Sequence, residues 1–93
     1  MKFVLIIHEV ADYASWQKGF DRAANIRKEA GEISYQVLLD EHKPNKVVHF
    51  SRWKSHEQAK AFFESEKVKK IRKDLGVKSP DFIYLNEFES GVL

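Results

Sequence analysis

Apolar residues run through four short segments of the chain that are rich in strand-forming residue types. Residues 3–7 read Phe-Val-Leu-Ile-Ile, residues 82–85 read Phe-Ile-Tyr-Leu, and residues 35–39 read Tyr-Gln-Val-Leu-Leu. The pattern predicts β-strands over residues 2–8, 33–40, 46–53 and 81–88. At least three of these strands are apolar on both faces, so each needs cover above and below the sheet.

The first predicted helix follows the first strand. Asp12 stands where an N-cap residue is expected, and the helix then runs to about Ala30 and stops at Gly31. Its apolar positions recur at intervals of three and four and form one aromatic stripe that must face a sheet. The stripe consists of Tyr13, Trp16, Phe20, Ala23 and Ala24.

A second helical region begins after the third strand. Ser55 followed by Gln58 is a capping-box pattern. Ser65 interrupts the region and is expected either to kink it or to end one helix and cap the next. The second part, residues 66–75, closes at Gly76.

The resulting order, β-α-β-β-α-β, is that of the ferredoxin-like α+β fold. Right-handed crossovers would place both helical regions on one face of a four-stranded antiparallel sheet. The other face would then expose either Phe3, Leu5 and Ile7 or Val4 and Ile6, depending on the register. An apolar surface of that size usually marks an interface, so we expect a homodimer that packs sheet on sheet.

Composition narrows the class of protein. The chain of 93 residues is long enough for one modest core, so residues 1–93 are expected to form a single domain. A net charge of +2 gives no indication of a nucleic-acid or membrane partner, and the absence of cysteine excludes disulfides and thiolate chemistry. The N-terminal apolar run is too short for a signal peptide, and a cytoplasmic protein is the simplest expectation.

One predicted strand face mixes an imidazole, a hydroxyl and an indole. Val47, His49, Ser51 and Trp53 share one parity of the third strand. This face could be the wall of a pocket, with His49 as an acid-base or hydrogen-bonding group and Trp53 as an aromatic platform for a flat ligand. The alternative is a dimer interface with one buried, hydrogen-bonded histidine, because a lone histidine without an obvious carboxylate partner in the sequence specifies no mechanism.

The helical aromatic residues are open to two interpretations. As the lining of a pocket they would suit a planar, apolar ligand such as a quinone, and as core residues they would need no ligand. The residues concerned are Tyr13, Trp16, Phe20, Phe62 and Phe63.

Metal and RNA binding are weakly indicated. His8 and His49 would approach each other if the first and third strands are neighbours, but no two histidines have the i, i+4 spacing typical of a metal-binding helix, so no metal site is predicted. The basic run over residues 67–73 is typical of a solvated helix face. The third strand contains no glycine, unlike the signature strand of RNA-recognition domains with the same element order.

Two groups of residues resemble the antibiotic-biosynthesis-monooxygenase-like family of dimeric α/β-barrel proteins. The first comprises Asp12, Tyr13, Trp16 and Phe20, and the second comprises residues 53–59 with Phe62 and Ser65. The similarity spans residues 2–88. It implies a homodimer whose two sheets form a barrel, with a small aromatic or hydrophobic ligand bound beside the sheet.

The resemblance also indicates an activity. Family members include cofactor-independent oxygenases of quinol-like substrates and haem-degrading oxygenases. Trp53 matches a tryptophan of the haem-degrading group, but Ile7 and His8 stand where that group has an asparagine, and Phe62 and Phe63 stand where it has a histidine. The resemblance therefore implies a cofactor-independent monooxygenase. For that activity the strand pattern offers His49 and Trp53 as candidate catalytic residues, and Ser51 and the five helical aromatics as candidate substrate-binding residues. A non-catalytic binding or structural dimer of the same fold is the alternative.

Overall fold

The computed structural model describes all 93 residues as four strands and four short helices. In chain order these are β1 (Lys2–Val10), α1 (Tyr13–Arg22), α2 (Ala24–Ala30), β2 (Glu32–Leu39), β3 (Lys46–Trp53), α3 (His56–Glu64), α4 (Glu66–Asp74) and β4 (Val77–Asn86). The strands form one antiparallel sheet in the order β2-β3-β1-β4. The predicted ferredoxin-like α+β fold is confirmed.

Side chains alternate strictly between the two faces of the central strands. Along β1, Val4, Ile6, His8 and Val10 are buried, and the residues between them are half-buried or exposed. β3 repeats the pattern with Val47, His49, Ser51 and Trp53, and Ile6 pairs with His49 in the register. Both sets face the helices, so the face of β3 that mixed polar and aromatic residues lies inside the chain. The alternative that it forms a dimer interface is wrong.

The helices begin and end where side chains satisfy their terminal backbone groups. Asp12 caps α1 by accepting a hydrogen bond from the Ser15 amide at 2.9 Å. Ser55 accepts one from the Gln58 amide at 3.1 Å and so caps α3. Ser65 separates α3 from α4 and caps the second, which confirms that the helical region is split there. Gly31 ends α2 with φ +121°, a conformation that other residues rarely adopt.

Several predicted boundaries were wrong. The first helical region is two helices, α1 and α2, separated at Ala23. The last strand begins at Val77 and ends at Asn86, so Ser79 and Pro80 lie inside it. Pro80 is tolerated because β4 is an edge strand, and the pairing of β1 with β4 shifts register between Ile7 and Glu9 at this point.

The buried core lies between the sheet and the helices in two adjacent clusters. One contains Val4, Ile6, Trp53, Ala59, Phe63 and Val68, and the other contains Val10, Trp16, Phe20 and Val47. No helix covers the opposite face of the sheet, where the rings of Phe3 and Phe50 stack with centroids 5.0 Å apart. None of the helices is long and apolar enough to cross a membrane.

Candidate functional site

A cavity of about 70 Å³ lies between the sheet and the helices. Room of that size accommodates several water molecules, since a single water needs about 10–15 Å³. Eleven of the 16 residues around it are hydrophobic, and its polar lining comes mainly from two histidines and two arginines. These four polar residues are His8, His49, Arg27 and Arg72.

His49 is held in place by a buried carboxylate. Glu32, the first residue of β2, places Oε2 2.8 Å from His49 Nε2. Because this carboxylate accepts a hydrogen bond, we assign the ring proton to Nε2, which leaves a lone pair on Nδ1. His49 Nδ1 makes no hydrogen bond within the chain and, unlike the ring nitrogens of His8, is not fully buried. An imidazole oriented by a carboxylate in this way is the usual arrangement of a general base.

Arg27 completes this network from α2. Its Nη1 lies 2.6 Å from Glu32 Oε1, and its Nη2 donates to the Phe20 carbonyl oxygen at 3.2 Å. The guanidinium carbon also lies 3.7 Å from the centroid of the Phe20 ring, which adds a cation–π contact. Glu32 therefore bridges a buried cation and a buried imidazole.

His8 lies on the same sheet face as His49 but has no polar partner. Only 6% of its surface is exposed, and neither Nδ1 nor Nε2 has a hydrogen-bond partner. Its ring contacts Trp16, with centroids 5.4 Å apart. Burial, followed by the charges of His49 and Arg72, lowers the pKa of His8 from 6.5 to about 4. His8 is therefore neutral at pH 7.

Arg72 enters the cavity from α4 and is half-buried. Its Nη1 donates to the Phe63 carbonyl oxygen at 2.8 Å, and burial lowers the pKa of its guanidinium below the usual value. No carboxylate lies within ion-pair distance of it, whereas Arg27 is paired with Glu32. The prediction that residues 67–73 are all part of a solvated face was wrong for this residue, which turns inward.

The structure places five of the eight predicted site residues on the cavity wall: His49, Trp16, Phe20, Phe62 and Phe63. Ser51 and Trp53 are buried next to it, and Trp53 Nε1 donates to Ser51 Oγ at 2.8 Å. Trp53 contacts the wall through Phe62 and Phe63, with centroids 5.7 and 5.3 Å away. Tyr13 is outside the wall and packs against Trp16.

Sequence reasoning missed four residues of this site: Glu32, Arg27, His8 as a polar wall residue, and Arg72. Glu32 and Arg27 are five positions apart, a weak signal for an ion pair that spans the end of a helix and the start of a strand. The expectation that His49 lacks a carboxylate partner was wrong. No group of three or more His, Asp or Glu side chains is arranged to hold a metal ion.

The sequence was also compared with known protein families and curated proteins. The model of the family described as antibiotic biosynthesis monooxygenase matches residues 13–74, which is two thirds of the chain. That span includes α1 to α4 and therefore most of the cavity wall. No curated protein is similar enough in sequence to count as a match.

Solved structures with the same fold include an oxygenase. SnoaB, a cofactor-independent oxygenase from Streptomyces nogalater, has a TM-score of 0.78 and 14% identity over 96% of this chain and 94% of its own. A candidate antibiotic biosynthesis monooxygenase from Caulobacter crescentus has a TM-score of 0.72 and 20% identity over 95% of this chain and 90% of its own. A similar candidate from Deinococcus radiodurans has a TM-score of 0.71 and 16% identity, covering 100% and 98% of the two chains. At these sequence identities, the similarity of the three structures to this chain shows only that they share its fold.

Proposed function

Because the chain belongs to the antibiotic biosynthesis monooxygenase family, we propose that it is a cofactor-independent oxygenase of a small hydroxyarene or quinol-like substrate. The observation that carries this proposal is the buried imidazole of His49, which Glu32 orients from 2.8 Å at the wall of an aromatic cavity. SnoaB, which has the same fold, is a cofactor-independent oxygenase.

The proposed reaction begins with proton transfer from the substrate hydroxyl to His49 Nδ1. The resulting electron-rich anion gives one electron to O₂, and the two radicals combine at a ring carbon to form a peroxide. The peroxide takes the proton back from His49. The hydroperoxide then loses water, which is made from its outer OH group and the hydrogen on the same ring carbon. A carbonyl group is left at that carbon. One oxygen atom thus ends in the quinone and the other in water, and the substrate supplies all the electrons.

The proposed roles of the other residues follow from their positions. Trp16, Phe20, Phe62 and Phe63 provide flat apolar walls that hold a ring and exclude water. Trp53 is a positioning residue, because it contacts the wall through Phe62 and Phe63 and not the cavity itself. Its bond to Ser51 keeps the indole in one orientation.

We also propose that the protein is a homodimer joined through the uncovered sheet face. That face carries the apolar side chains that alternate with the buried ones, and Leu38 and Leu85 among them are 50% and 37% exposed. The set comprises Phe3, Leu5, Ile7, Leu38, Val48, Phe50, Ile83 and Leu85. A contiguous apolar surface of this kind is typical of a subunit interface.

Oxygen uptake with a panel of quinols tests the proposed activity. We expect His49→Ala to lower kcat/KM about 100-fold or more, as loss of a general base usually does. Trp53→Phe should reduce the rate less, because Trp53 acts only through its neighbours. His42→Ala is the matched control, since the His42 side chain is 86% exposed on a loop.

Two outcomes would contradict the proposal. Uptake that is the same in wild type, His49→Ala and Trp53→Phe would exclude the proposed site. Thermal stabilisation by aromatic compounds without any oxygen uptake would instead support the alternative, a non-catalytic binding protein.

A further inference from the structure

Three buried side-chain nitrogen atoms lack a hydrogen-bond partner, and all three belong to residues of one cavity. They are Nδ1 and Nε2 of His8 and Nε of Arg27, and they are the only such nitrogen or oxygen atoms in the chain. Buried polar side chains are nearly always paired, so this concentration of unpaired atoms points to a ligand that would pair them.

The charges around the cavity indicate the sign of that ligand. Arg27 and Arg72 each bring a positive charge, and Glu32 is the one carboxylate that pairs with either of them. The surroundings therefore carry an excess positive charge even with both histidines neutral. An anion placed there is stabilised by a nearby cation in a poorly solvated site.

His8 supplies hydrogen bonds without adding charge. A neutral imidazole has one N–H donor and one acceptor nitrogen, so it can donate to a ligand oxygen from either tautomer. Burial is the main cause of the low pKa of His8, and the groups that face the ring are His49 from β3 and Arg72 from α4, so the ring is neutral at pH 7. Arg27 Nε offers a second donor on the same wall.

The wall around these donors selects the rest of the ligand. Trp16 and Phe20 stack with centroids 4.8 Å apart, and the rings of His49 and Phe20 form a T-shaped contact. A flat apolar ring fits these surfaces better than a compact ion such as phosphate.

We propose that His8 directly contacts the ligand, and that the ligand is a small hydroxyarene bound as its phenolate anion with the phenolate oxygen near His8. This inference rests on the proposed function, in that both use the same cavity. It adds a residue that recognises the anion which the proposed proton transfer to His49 forms.

Binding of 4-nitrophenol to the complete chain tests this inference, because its phenol and phenolate forms absorb at different wavelengths. We expect wild type to bind the phenolate and to lower the pKa of the bound phenol below that of the free compound. His8→Leu should weaken phenolate binding about tenfold or more, the amount expected for one hydrogen bond to a charged group. His8→Gln, which keeps a donor and an acceptor, should restore part of the affinity.

Two matched controls sharpen the test. His42→Leu changes an exposed histidine and should bind as wild type does. 4-Nitroanisole cannot ionise, so it should bind wild type more weakly than 4-nitrophenol does. Its affinity should be the same for wild type and His8→Leu.

The outcomes separate this inference from the oxygenase proposal. No binding of 4-nitrophenol to wild type, or the same affinity and phenol pKa in wild type and His8→Leu, would overturn the role of His8 even if quinols still drive oxygen uptake. Binding that depends on His8 without any oxygen uptake would support the inference and would remove only the catalytic proposal.

Discussion

The two buried histidines lie on one sheet face but differ in their partners. His49 is bonded to Glu32, whereas His8 has two unpaired ring nitrogens. A buried polar side chain without partners costs about 1–3 kcal/mol of stability. Without a ligand or water to pair these nitrogens, His8 decreases stability, which is expected of a residue kept for binding and not for folding.

Replacing His8 should therefore change how stability depends on pH. The pKa of His8 falls from 6.5 in the unfolded chain to about 4 in the folded one, so the unfolded state binds more protons between these values. Stability from this residue is complete above pH 6.5 and is lost as the pH falls toward 4, by up to about 3 kcal/mol. We expect His8→Leu to remove that loss and to raise Tm at pH 5 relative to wild type.

Thermal unfolding of wild type, His8→Leu and His42→Leu at several pH values provides the measurement. His42→Leu should follow wild type, because the loop histidine is exposed. Parallel Tm curves for wild type and His8→Leu between pH 7 and pH 4 would contradict the predicted protonation of His8.

The Glu32 carboxylate should be important for both stability and chemistry. Glu32→Gln leaves Arg27 as a buried cation without its counterion, and breaking a buried pair costs about 3–5 kcal/mol. We expect a loss near the lower value, about 3 kcal/mol, because the amide oxygen still accepts one hydrogen bond. Urea denaturation measures it.

An exposed ion pair offers the control for this substitution. Glu66 lies 3.8 Å from Lys69 and its side chain is 94% exposed, so Glu66→Gln should cost less than about 0.5 kcal/mol. Similar losses for the two variants would show that the Glu32 network adds little to stability.

The sequence allowed His49 to be proposed as a site residue but did not show its partner Glu32, for a reason of local geometry. The pairing of β2 with β3 shifts register between Glu32 and Ser34. This irregularity, next to the tight turn at Gly31, brings the Glu32 side chain to the buried face beside His49. Periodicity cannot show such a shift, because a one-residue change in register reverses the face of every side chain.

At the scale of elements, Ser65 serves two helices with one hydroxyl group. Its Oγ donates to the Phe62 carbonyl oxygen at 2.8 Å at the end of α3 and accepts from the Val68 amide at 3.3 Å at the start of α4. Phe63 of α3 and Arg72 of α4, on either side of this break, both line the cavity. We expect Ser65→Ala to cost about 1 kcal/mol in the free energy of unfolding, the usual value for an N-cap.

Chemical denaturation can distinguish this effect from the loss of a hydroxyl group as such. Ser90→Ala removes a hydroxyl from the exposed C-terminal segment and should leave stability unchanged. If Ser65→Ala unfolds at the same urea concentration as Ser90→Ala, the shared cap does not stabilise the two helices.

Element boundaries were predictable where a cap marks them and not elsewhere. Asp12, Ser55 and Ser65 each have a polar side chain at a helix start, and all three starts were located correctly. The break at Ala23 has no side-chain cap and therefore no sequence signal. Pro80 suggested a strand start, but tertiary pairing of an edge strand outweighed that local preference.

For the whole molecule, the two faces of the sheet behave differently. The chain covers one face with its own four helices and leaves the other apolar and open. The sequence was enough to show that both faces are apolar, but only the register showed that Phe3, Leu5 and Ile7 belong to the open one. A charge placed on that face should affect association more than folding.

Phe50→Lys tests the proposed dimer at the middle of the open face. Phe50 pairs with Leu5 on the central strands and stacks on Phe3, so in a dimer its substitution would place a charge in each sheet at the interface. Burying such charges without partners costs several kcal/mol, which is enough to dissociate most interfaces of standard size. Light scattering should give twice the chain mass of 10.9 kDa for wild type and the single mass for Phe50→Lys.

Gln17→Lys adds the same charge to the exposed side of α1 and should remain dimeric. A wild type that is monomeric at micromolar concentration would exclude the dimer, and a dimeric Phe50→Lys would place the interface on another surface.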